Sequence, residues 1–361
     1  MARLNIAEQA FKQLKVHSAW HNVASYYLGL VYRAKKDTKK AIRVFRQLAK
    51  NDSQFKDAAI KQLQLLSTDV SSRQFYAWAN VTFGYESNPV ALSDDFQISS
   101  SSLEDNYREL TVQGAYYLTR SNEQSTYFSG YYIDVDYDTF ESLSSSSMGV
   151  AGNYLKGRKD NRWRIDFAID SASIASRKVY LNSTVRASYQ ILYDKTLLKG
   201  SFNYTSISAS TDFKFLGGER AIIGIETQPK SDSGLNWLFG YSFEWNDRQG
   251  LINEDTRRDY SPVRHQLSAK AKYQYEQWTF SPFLKTQWSN YSTDDTVINT
   301  DGEWITKRRQ SKKLTLGFDI EYEVLKDLEA YMKVIKIDNK ENIELYEYTN
   351  DAFSLGIRYT F

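Results

Sequence analysis

The strongest constraint on this chain is a strict alternation of side chains in its carboxyl-terminal part. From Phe353 to Phe361 every second residue is apolar or aromatic, and the residues between them are small or polar. Successive side chains on a β-strand point to opposite faces, so this segment has one apolar face and one polar face. The same alternation recurs from residue 75 onward, most clearly from Trp237 to Trp245. The pattern predicts a sheet that is apolar on one face.

The number and spacing of these segments predict a closed transmembrane barrel. About fourteen alternating segments of about ten residues follow one another, joined by connections that are alternately short and longer, as is typical of outer-membrane barrels. Closure is expected because an open sheet edge would leave backbone groups unpaired in hydrocarbon. A large soluble β-sandwich or propeller is the alternative, although no blade repeat is visible. Pro282 lies inside one segment and predicts a bulge there or a later strand start, because proline cannot donate to the ladder.

Composition excludes several classes of function. The chain has 361 residues, and its 46 basic and 44 acidic residues nearly balance, so we expect no nucleic-acid partner. No apolar run approaches the roughly 20 residues of a spanning helix. With no Cys and only three His, we expect neither disulfides nor thiolate or multi-histidine metal sites, and no cofactor is implied. The 27 Tyr, 19 Phe and 8 Trp suit strands and interfacial belts.

Residues 1–70 have a different, helical pattern with an internal repeat. Ala7 and Phe11 are echoed by Ala41 and Phe45, 34 residues later. A 34-residue period of helix–turn–helix units resembles the tetratricopeptide repeat, and an ordinary helical hairpin is the alternative. Small residues should let two antiparallel helices approach while aromatic rings fill the space. The residues expected to pack the repeat are Leu28, Gly29, Tyr32, Ala41 and Phe45.

Four helices are predicted in this region, at residues 2–16, 20–34, 38–50 and 54–66. The match to the repeat lacks the Trp expected where Ser25 stands and the closing Pro expected where Ser53 stands. Stacks usually need about three repeats to bury their core, so we expect the helices to belong to a longer array. The absence of a secretory signal at the start agrees with that expectation.

Charged residues on the polar face of the strands are expected to line the lumen. Pairs of carboxylates two residues apart point the same way, but ordinary pore lining explains them better than acid–base catalysis, and we expect no enzyme activity. The Ser-rich segments 99–102 and 144–147 are predicted loops and carry no Ser/His/Asp constellation. The candidate lumen-facing residues are Asp134, Asp136, Arg164, Asp166, Lys270, Lys272, Lys285, Asp319, Glu321 and Arg358.

The architecture resembles that of the surface lipoprotein assembly modifiers, also called type XI secretion translocons. Repeat helices lead directly into a barrel of about fourteen strands, and the stretch from Gly84 to Pro89 resembles the start of that family's barrel domain. The closing strand resembles that of outer-membrane barrels, whose terminal Phe, here Phe361, helps direct assembly by the barrel assembly machinery. The resemblance implies periplasmic repeats that engage a cargo protein and a barrel that helps it cross the outer membrane. Cargo in that family includes surface lipoproteins and secreted haem-binding proteins.

The sequence thus predicts an α+β multidomain protein. Residues 1–70 form a short tetratricopeptide-type helical region in the periplasm, and residues 74–361 form an antiparallel barrel of about fourteen strands in outer-membrane lipid. An even strand count places both ends of the barrel at the short-turn, periplasmic side. The expected function is protein translocation. Exopolysaccharide export or a diffusion porin with a periplasmic repeat domain is the alternative, because polysaccharide exporters share the plan.

Overall fold

The chain forms two compact units, one helical and one a β-barrel. The computed structural model describes residues 2–17, 20–35, 37–50, 55–68, 74–91, 103–121, 123–158, 160–229, 234–252, 256–298 and 302–361. The helical unit comprises Met1–Gln74 together with Arg120–Asn122, and the barrel unit comprises Phe75–Thr119 and Glu123–Phe361. Ser53 and the segment 99–102 lie outside the described residues.

In the described part of the helical unit, four helices pack in chain order. They are α1 (Ala2–Leu14), α2 (His21–Ala34), α3 (Thr38–Lys50) and α4 (Lys56–Thr68). Ala41 and Phe45 of α3 are fully buried, and Leu28 and Tyr32 of α2 belong to the same apolar core. The five residues expected to pack the repeat therefore meet, with Gly29 directly against the Phe45 ring. The assignment of these helices to the tetratricopeptide family stays a prediction.

None of the helices in the described part of the chain is long and apolar enough to cross a membrane.

Fourteen antiparallel strands make up the barrel. They are β1 (Phe75–Glu86), β2 (Asp105–Arg120), β3 (Gln124–Tyr137), β4 (Ser145–Arg158), β5 (Asn161–Ile174), β6 (Arg177–Tyr193), β7 (Thr196–Ala209), β8 (Gly218–Pro229), β9 (Leu235–Arg248), β10 (Pro262–Tyr275), β11 (Trp278–Ile298), β12 (Trp304–Leu325), β13 (Leu328–Glu341) and β14 (Tyr348–Thr360). Two further two-residue strands, Leu251–Ile252 and Arg257–Arg258, pair within the connection from β9 to β10.

The sheet closes on itself. Each strand pairs with its neighbours in sequence, and β1 pairs with β14 from Trp78 opposite Thr360 to Glu86 opposite Ala352. The backbone N–H of Phe361 adds a hydrogen bond of 2.7 Å to the Ala77 carbonyl at this seam. Closure leaves no open edge, which is the condition for a sheet in hydrocarbon. The structure confirms the predicted fold class, a closed antiparallel barrel of fourteen strands with helices before it.

The connections between strands are short at one end of the barrel and mostly longer at the other. At the short end, the segments 194–195, 276–277 and 326–327 are two-residue turns. At the opposite end the connection from β5 to β6 is the exception, because Ala175 and Ser176 alone form it. Both residues have positive φ, 47° and 60°, the geometry of a tight two-residue hairpin turn. The predicted loop at 144–147 is shorter than expected, since β4 already begins at Ser145.

The apolar face of the strands points outward and forms a belt. On β14, Ile357 is 57% exposed in the isolated chain whereas Ser354 is 6% exposed. On β12 the outward apolar residues run from Leu314 to Val324. At about 3.3 Å per residue and a tilt of about 40°, these ten steps project to about 25 Å, the height of the apolar band of outer-membrane barrels. The outward residue before this run is the exposed Lys312, so the belt ends there.

Pro282 lies within β11, and the ladder is interrupted beside it. The pairing of β10 with β11 passes from Lys270 opposite Phe283 to Tyr273 opposite Phe280, without a pair at Pro282. On its other side Pro282 remains opposite Phe318 of β12. Proline has no N–H to donate, so the gap in one ladder follows from its chemistry. β11 begins at Trp278, so the strand does not start after the proline, and this local interruption accommodates it.

Candidate functional site

The inner wall of the barrel is the candidate site, because it is the polar surface that the fold encloses. Cross-strand partners share a face, so the register assigns each side chain to the wall or to the outside. Glu321 lies opposite Tyr331, and Lys285 lies opposite Ser268 and Thr315. Of the ten candidate residues, the structure places eight on the inner wall: Arg164, Asp166, Lys270, Lys272, Lys285, Asp319, Glu321 and Arg358.

The other two candidates, Asp134 and Asp136, lie on the outer face of β3, so their predicted orientation was wrong. Phe128 on the same face is 57% exposed, and Asp134 is opposite Ser146, on the outward face of β4. The alternation predicted the wrong face because β3 carries aromatic residues on both faces. A one-residue shift in the assignment exchanges the two faces completely. Both aspartates lie toward the end of β3 that leads into the connection 138–144, beyond the apolar part of the strand.

Tyrosines of β2 and β3 line part of the inner wall. Tyr137 donates a hydrogen bond of 3.4 Å to Glu86, and the rings of Tyr137 and Tyr107 lie 5.7 Å apart. Tyr117 and Tyr127 stack similarly, with centroids 4.8 Å apart. A tyrosine offers both an apolar ring and a polar hydroxyl, and only cross-strand partners reveal which face it takes. Hydropathy alone carried no signal for this lining.

Several of the inner-wall cations are paired with carboxylates, Arg164 and Lys270 among them. The Arg164 Nε donates to both carboxylate oxygens of Asp166, at 2.9 and 2.7 Å, and its Nη2 donates to Asn153 at 3.2 Å. The Lys270 ammonium lies 3.0 Å from an Asp319 oxygen. These neighbouring opposite charges partly cancel each other's field. They fit the pore-lining interpretation of the charged residues.

A polar cavity of about 350 Å³ lies along the inner face of β1, β2, β12, β13 and β14. Its aromatic lining comprises Trp78, Tyr107 and Tyr331. The Arg358 guanidinium lies 5.6 Å from both the Trp78 and the Tyr331 ring centroids, and donates to Glu329 at 3.2 Å. The cavity thus combines ring faces with charged groups, a combination that binds polar solutes with apolar patches.

A second cluster lies at the long-loop end, where a connection folds against the wall. The Arg309 guanidinium lies 3.9 Å from the Tyr346 ring centroid and 4.4 Å from that of Tyr291. It donates two hydrogen bonds to Glu341, at 3.2 and 3.1 Å. Burial raises the pKa of Tyr346, helped by the nearby carboxylate of Asp295. These contacts of Arg309 hold the 342–347 connection against β12 and β13.

Asp259 orders the connection from β9 to β10. Its carboxylate accepts hydrogen bonds from the backbone N–H of Ser261 and Thr293, both 2.7 Å, and from the Ser292 hydroxyl at 2.9 Å. Burial alone would raise its pKa, but these donors favour the charged form, and the pKa lies below its usual range. Sequence reasoning missed both clusters, because they depend on contacts between connections and strands that are distant in sequence. Among the described residues, no group of three or more His, Asp or Glu is arranged to hold a metal ion.

Solved outer-membrane proteins share the barrel architecture at very low sequence identity. In-vitro folded OmpT of Vibrio cholerae is 6% identical with a TM-score of 0.45, covering 81% of this chain and 99% of that one. OccAB3 of Acinetobacter baumannii is 8% identical with a TM-score of 0.40, covering 80% and 99%. The translocator domain of the autotransporter NalP from Neisseria meningitidis is 11% identical with a TM-score of 0.34, covering 84% and 95%. No family model matches the chain, and no curated protein matches its sequence.

Proposed function

We propose that this protein is an outer-membrane translocon in which the helical unit recruits a cargo protein and the barrel assists its passage. The observation that carries the proposal is the joining, in one chain, of packed repeat-like helices to a closed barrel with an apolar belt. The belt of about 25 Å supports a location in the outer membrane. The short-turn end, where β1 begins and β14 ends, then faces the periplasm together with the helices. The surface lipoprotein assembly modifiers, which this architecture resembles, work in this way.

The surface of the helical unit supports cargo binding. Trp20 is 56% exposed and Val16 is 83% exposed, and both lie near the connection between α1 and α2. Tyr27 on α2 is also exposed, with its ring stacked 5.5 Å from Phe11. Exposed aromatic residues are enriched where proteins bind other proteins, because they offer much apolar area with little conformational freedom to lose. We therefore assign cargo contact to this surface.

The barrel size bears on the form in which cargo would pass. Eight-stranded barrels are filled by their own side chains, whereas barrels of about sixteen to eighteen strands enclose water channels. Fourteen strands lie between these sizes, and tyrosines take up part of the lumen. An extended chain fits such a lumen better than a folded domain. A folded cargo would instead cross the membrane alongside the outer surface of the barrel.

A saccharide-conducting barrel is the second candidate, and one observation favours it. The cavity of about 350 Å³ is lined by Trp78, Tyr107 and Tyr331 beside charged groups. Aromatic faces pack against the apolar faces of sugar rings, while charged groups hydrogen-bond sugar hydroxyls. This arrangement would suit the export or diffusion of a linear saccharide. In that case the helical unit would dock other envelope components rather than protein cargo.

Gene deletion with quantitative surface proteolysis distinguishes the two functions. Intact cells of the deletion strain are treated with protease, and the peptides released are compared with those from the parent strain. Translocation predicts that at least one surface protein loses its protease accessibility and regains it on complementation. If every surface protein stays accessible while exopolysaccharide is lost, the translocon proposal fails and the saccharide candidate gains support.

A variant of the helical unit tests whether this unit is needed for surface exposure of the cargo. The double substitution Trp20→Ala and Tyr27→Ala should leave the barrel assembled, judged by its changed migration on gels after boiling. Complementation with this variant should restore much less of the cargo's surface exposure than the wild type restores. As a matched control, Lys50→Ala, an exposed residue at the end of α3, should complement fully. Equal complementation by all three proteins would argue against cargo recruitment through this surface.

A further inference from the structure

The inner wall at β10 to β13 carries a cluster of lysines around one aromatic ring. The ammonium groups of Lys270, Lys285 and Lys333 lie 5.9, 5.6 and 6.0 Å from the centroid of Phe283. Three cations therefore converge on one ring from three strands. Lys313 of β12 lies on the same face, opposite Gln287. We call Lys270, Lys285, Lys313 and Lys333 the lysine cluster.

The charge of the lysine cluster is only partly compensated. Lys270 is paired with Asp319 at 3.0 Å. Among the ion pairs of the described residues, none involves Lys285, Lys313 or Lys333. Glu321 is on the same wall and, like Lys333, lines the cavity of about 350 Å³, but it too belongs to no ion pair there. The wall there therefore carries four lysines beside two carboxylates, Asp319, which is opposite Lys333, and Glu321, so positive charge remains in excess.

Without a bound anion, the ammonium groups of this cluster repel one another. The distances to Phe283 place the three ammonium groups within about 12 Å of one another, comparable to the screening length of about 8–10 Å at physiological salt. The low-dielectric wall behind them weakens the screening further. The negative face of the ring offsets only part of the repulsion, since one ring face attracts each cation weakly. A bound anion would relieve it.

From this geometry we infer that the lysine cluster is a binding site for a small multivalent oxyanion, of the phosphate or polycarboxylate class. Each lysine offers three N–H donors on a flexible stem, so several can turn toward one anion from different strands. Phe283 provides an apolar floor, and the ring closes the site on the wall side. The inference is independent of whether the cargo is a protein or a saccharide.

The register supports the inference because it leaves room for the Phe283 ring on the inner wall. Gly317 lies opposite Phe283, and a Cβ on it would be only 2.1 Å from the ring. A side chain at position 317 would therefore displace Phe283, around which the ammonium groups gather. Glycine at this point lets the ring lie flat across the neighbouring strand.

Calorimetric titration with inorganic pyrophosphate tests the inference on the full chain in detergent. At about 20 mM salt, where the screening length is about 20 Å, the wild type should bind saturably, and binding should weaken as salt is added. The double variant Lys285→Gln and Lys333→Gln should bind about tenfold more weakly or worse, because two of the contacting charges are gone. The matched control, Lys312→Gln with Lys336→Gln, removes two lysines from the outer faces of β12 and β13, and should bind within about twofold of the wild type.

Acetylation of the unmodified protein provides a readout that needs no variant. Pyrophosphate should protect Lys285 and Lys333 from acetylation, measured by mass spectrometry, and leave Lys312 and Lys336 unprotected. The inference is overturned if the wild type shows no saturable binding. It is equally overturned if inner and outer double variants weaken binding alike, or if protection is the same on both faces.

Discussion

Gly29 of α2 lies directly against the Phe45 ring of α3, where a Cβ would approach two ring atoms to 2.6 Å. Phe45 is fully buried, with the Tyr26 ring 5.8 Å away in an edge-on arrangement, so it has little room to move. Gly29→Ala should therefore destabilise the helical unit by about 1–2 kcal/mol, because overpacking outweighs the better helix propensity of alanine. The loss is measured as a lower midpoint of the helical transition, followed by circular dichroism at 222 nm.

A second variant distinguishes an effect on this contact from a general loss of stability. Phe45→Leu shortens the ring side chain, so Gly29→Ala should cost much less in that background than in the wild type. A double-mutant cycle measures the difference as an interaction free energy. Additive effects of the two substitutions would show that the contact between these residues does not limit helix approach.

The helical unit should lose stability in acid through Glu8. Hydrogen bonds from Lys12, at 2.7 Å, and from Lys35 lower the pKa of Glu8 from 4.5 to about 2. A depressed carboxyl pKa stabilises the folded state above the unfolded pKa, and this contribution is lost as pH falls from about 4.5 to about 2. Glu8→Gln should lower the midpoint of the helical transition at pH 7. The difference in midpoint between this variant and the wild type should shrink toward pH 2. A difference that stays constant over this range would contradict the assignment.

The outer and inner faces of β9 should respond differently to a charge. Tyr241 is outward within the apolar belt and Ser242 is on the inner wall, opposite Gln266. Tyr241→Arg should cost about 2–4 kcal/mol if it lies near the bilayer midplane, whereas Ser242→Arg should cost little. The measurement is the free energy of unfolding in lipid vesicles, from denaturant titrations. Similar costs at the two positions would contradict the register of β9.

The orientation of β3 can be tested directly because the chain contains no Cys. The Asp136→Cys variant places a thiol on the outer face, and the Val135→Cys variant places one on the inner wall, where Val135 is opposite Ser145. A thiol reagent carrying a bulky polymer should modify the first variant on intact cells and leave the second largely unmodified. A small permeant reagent serves as the control for thiol reactivity. The reverse pattern would restore the orientation that the sequence suggested.

Strand β3 also shows which features of the barrel cannot be predicted from the sequence alone. On β14 the apolar and polar residues separate cleanly, so the period of two gave the correct face from Phe353 to Tyr359. On β3, Tyr127 and Phe128 present aromatic rings on both faces, and only pairing with β4 decides between them. Strand number followed from local patterns, whereas the lysine cluster depends on the stagger of β10, β11 and β13, which no local pattern encodes. Loop contacts such as Arg309 with Tyr346 are equally nonlocal.

Phe361 is expected to act in assembly more than in stability. Its N–H bonds the Ala77 carbonyl at the closing seam, and its ring lies 4.8 Å from that of Tyr359, edge to face. Phe361→Ser keeps the backbone hydrogen bond and removes only an exposed ring, so the variant should refold in detergent nearly as well as the wild type. In cells, where we propose that the assembly machinery recognises this residue, the assembled fraction should fall several-fold, measured by heat-modifiable migration of membrane extracts. Phe75→Ser, which removes another exposed ring from β1, is the matched control and should assemble normally. Equal losses for both variants would assign the effect to general destabilisation rather than to recognition.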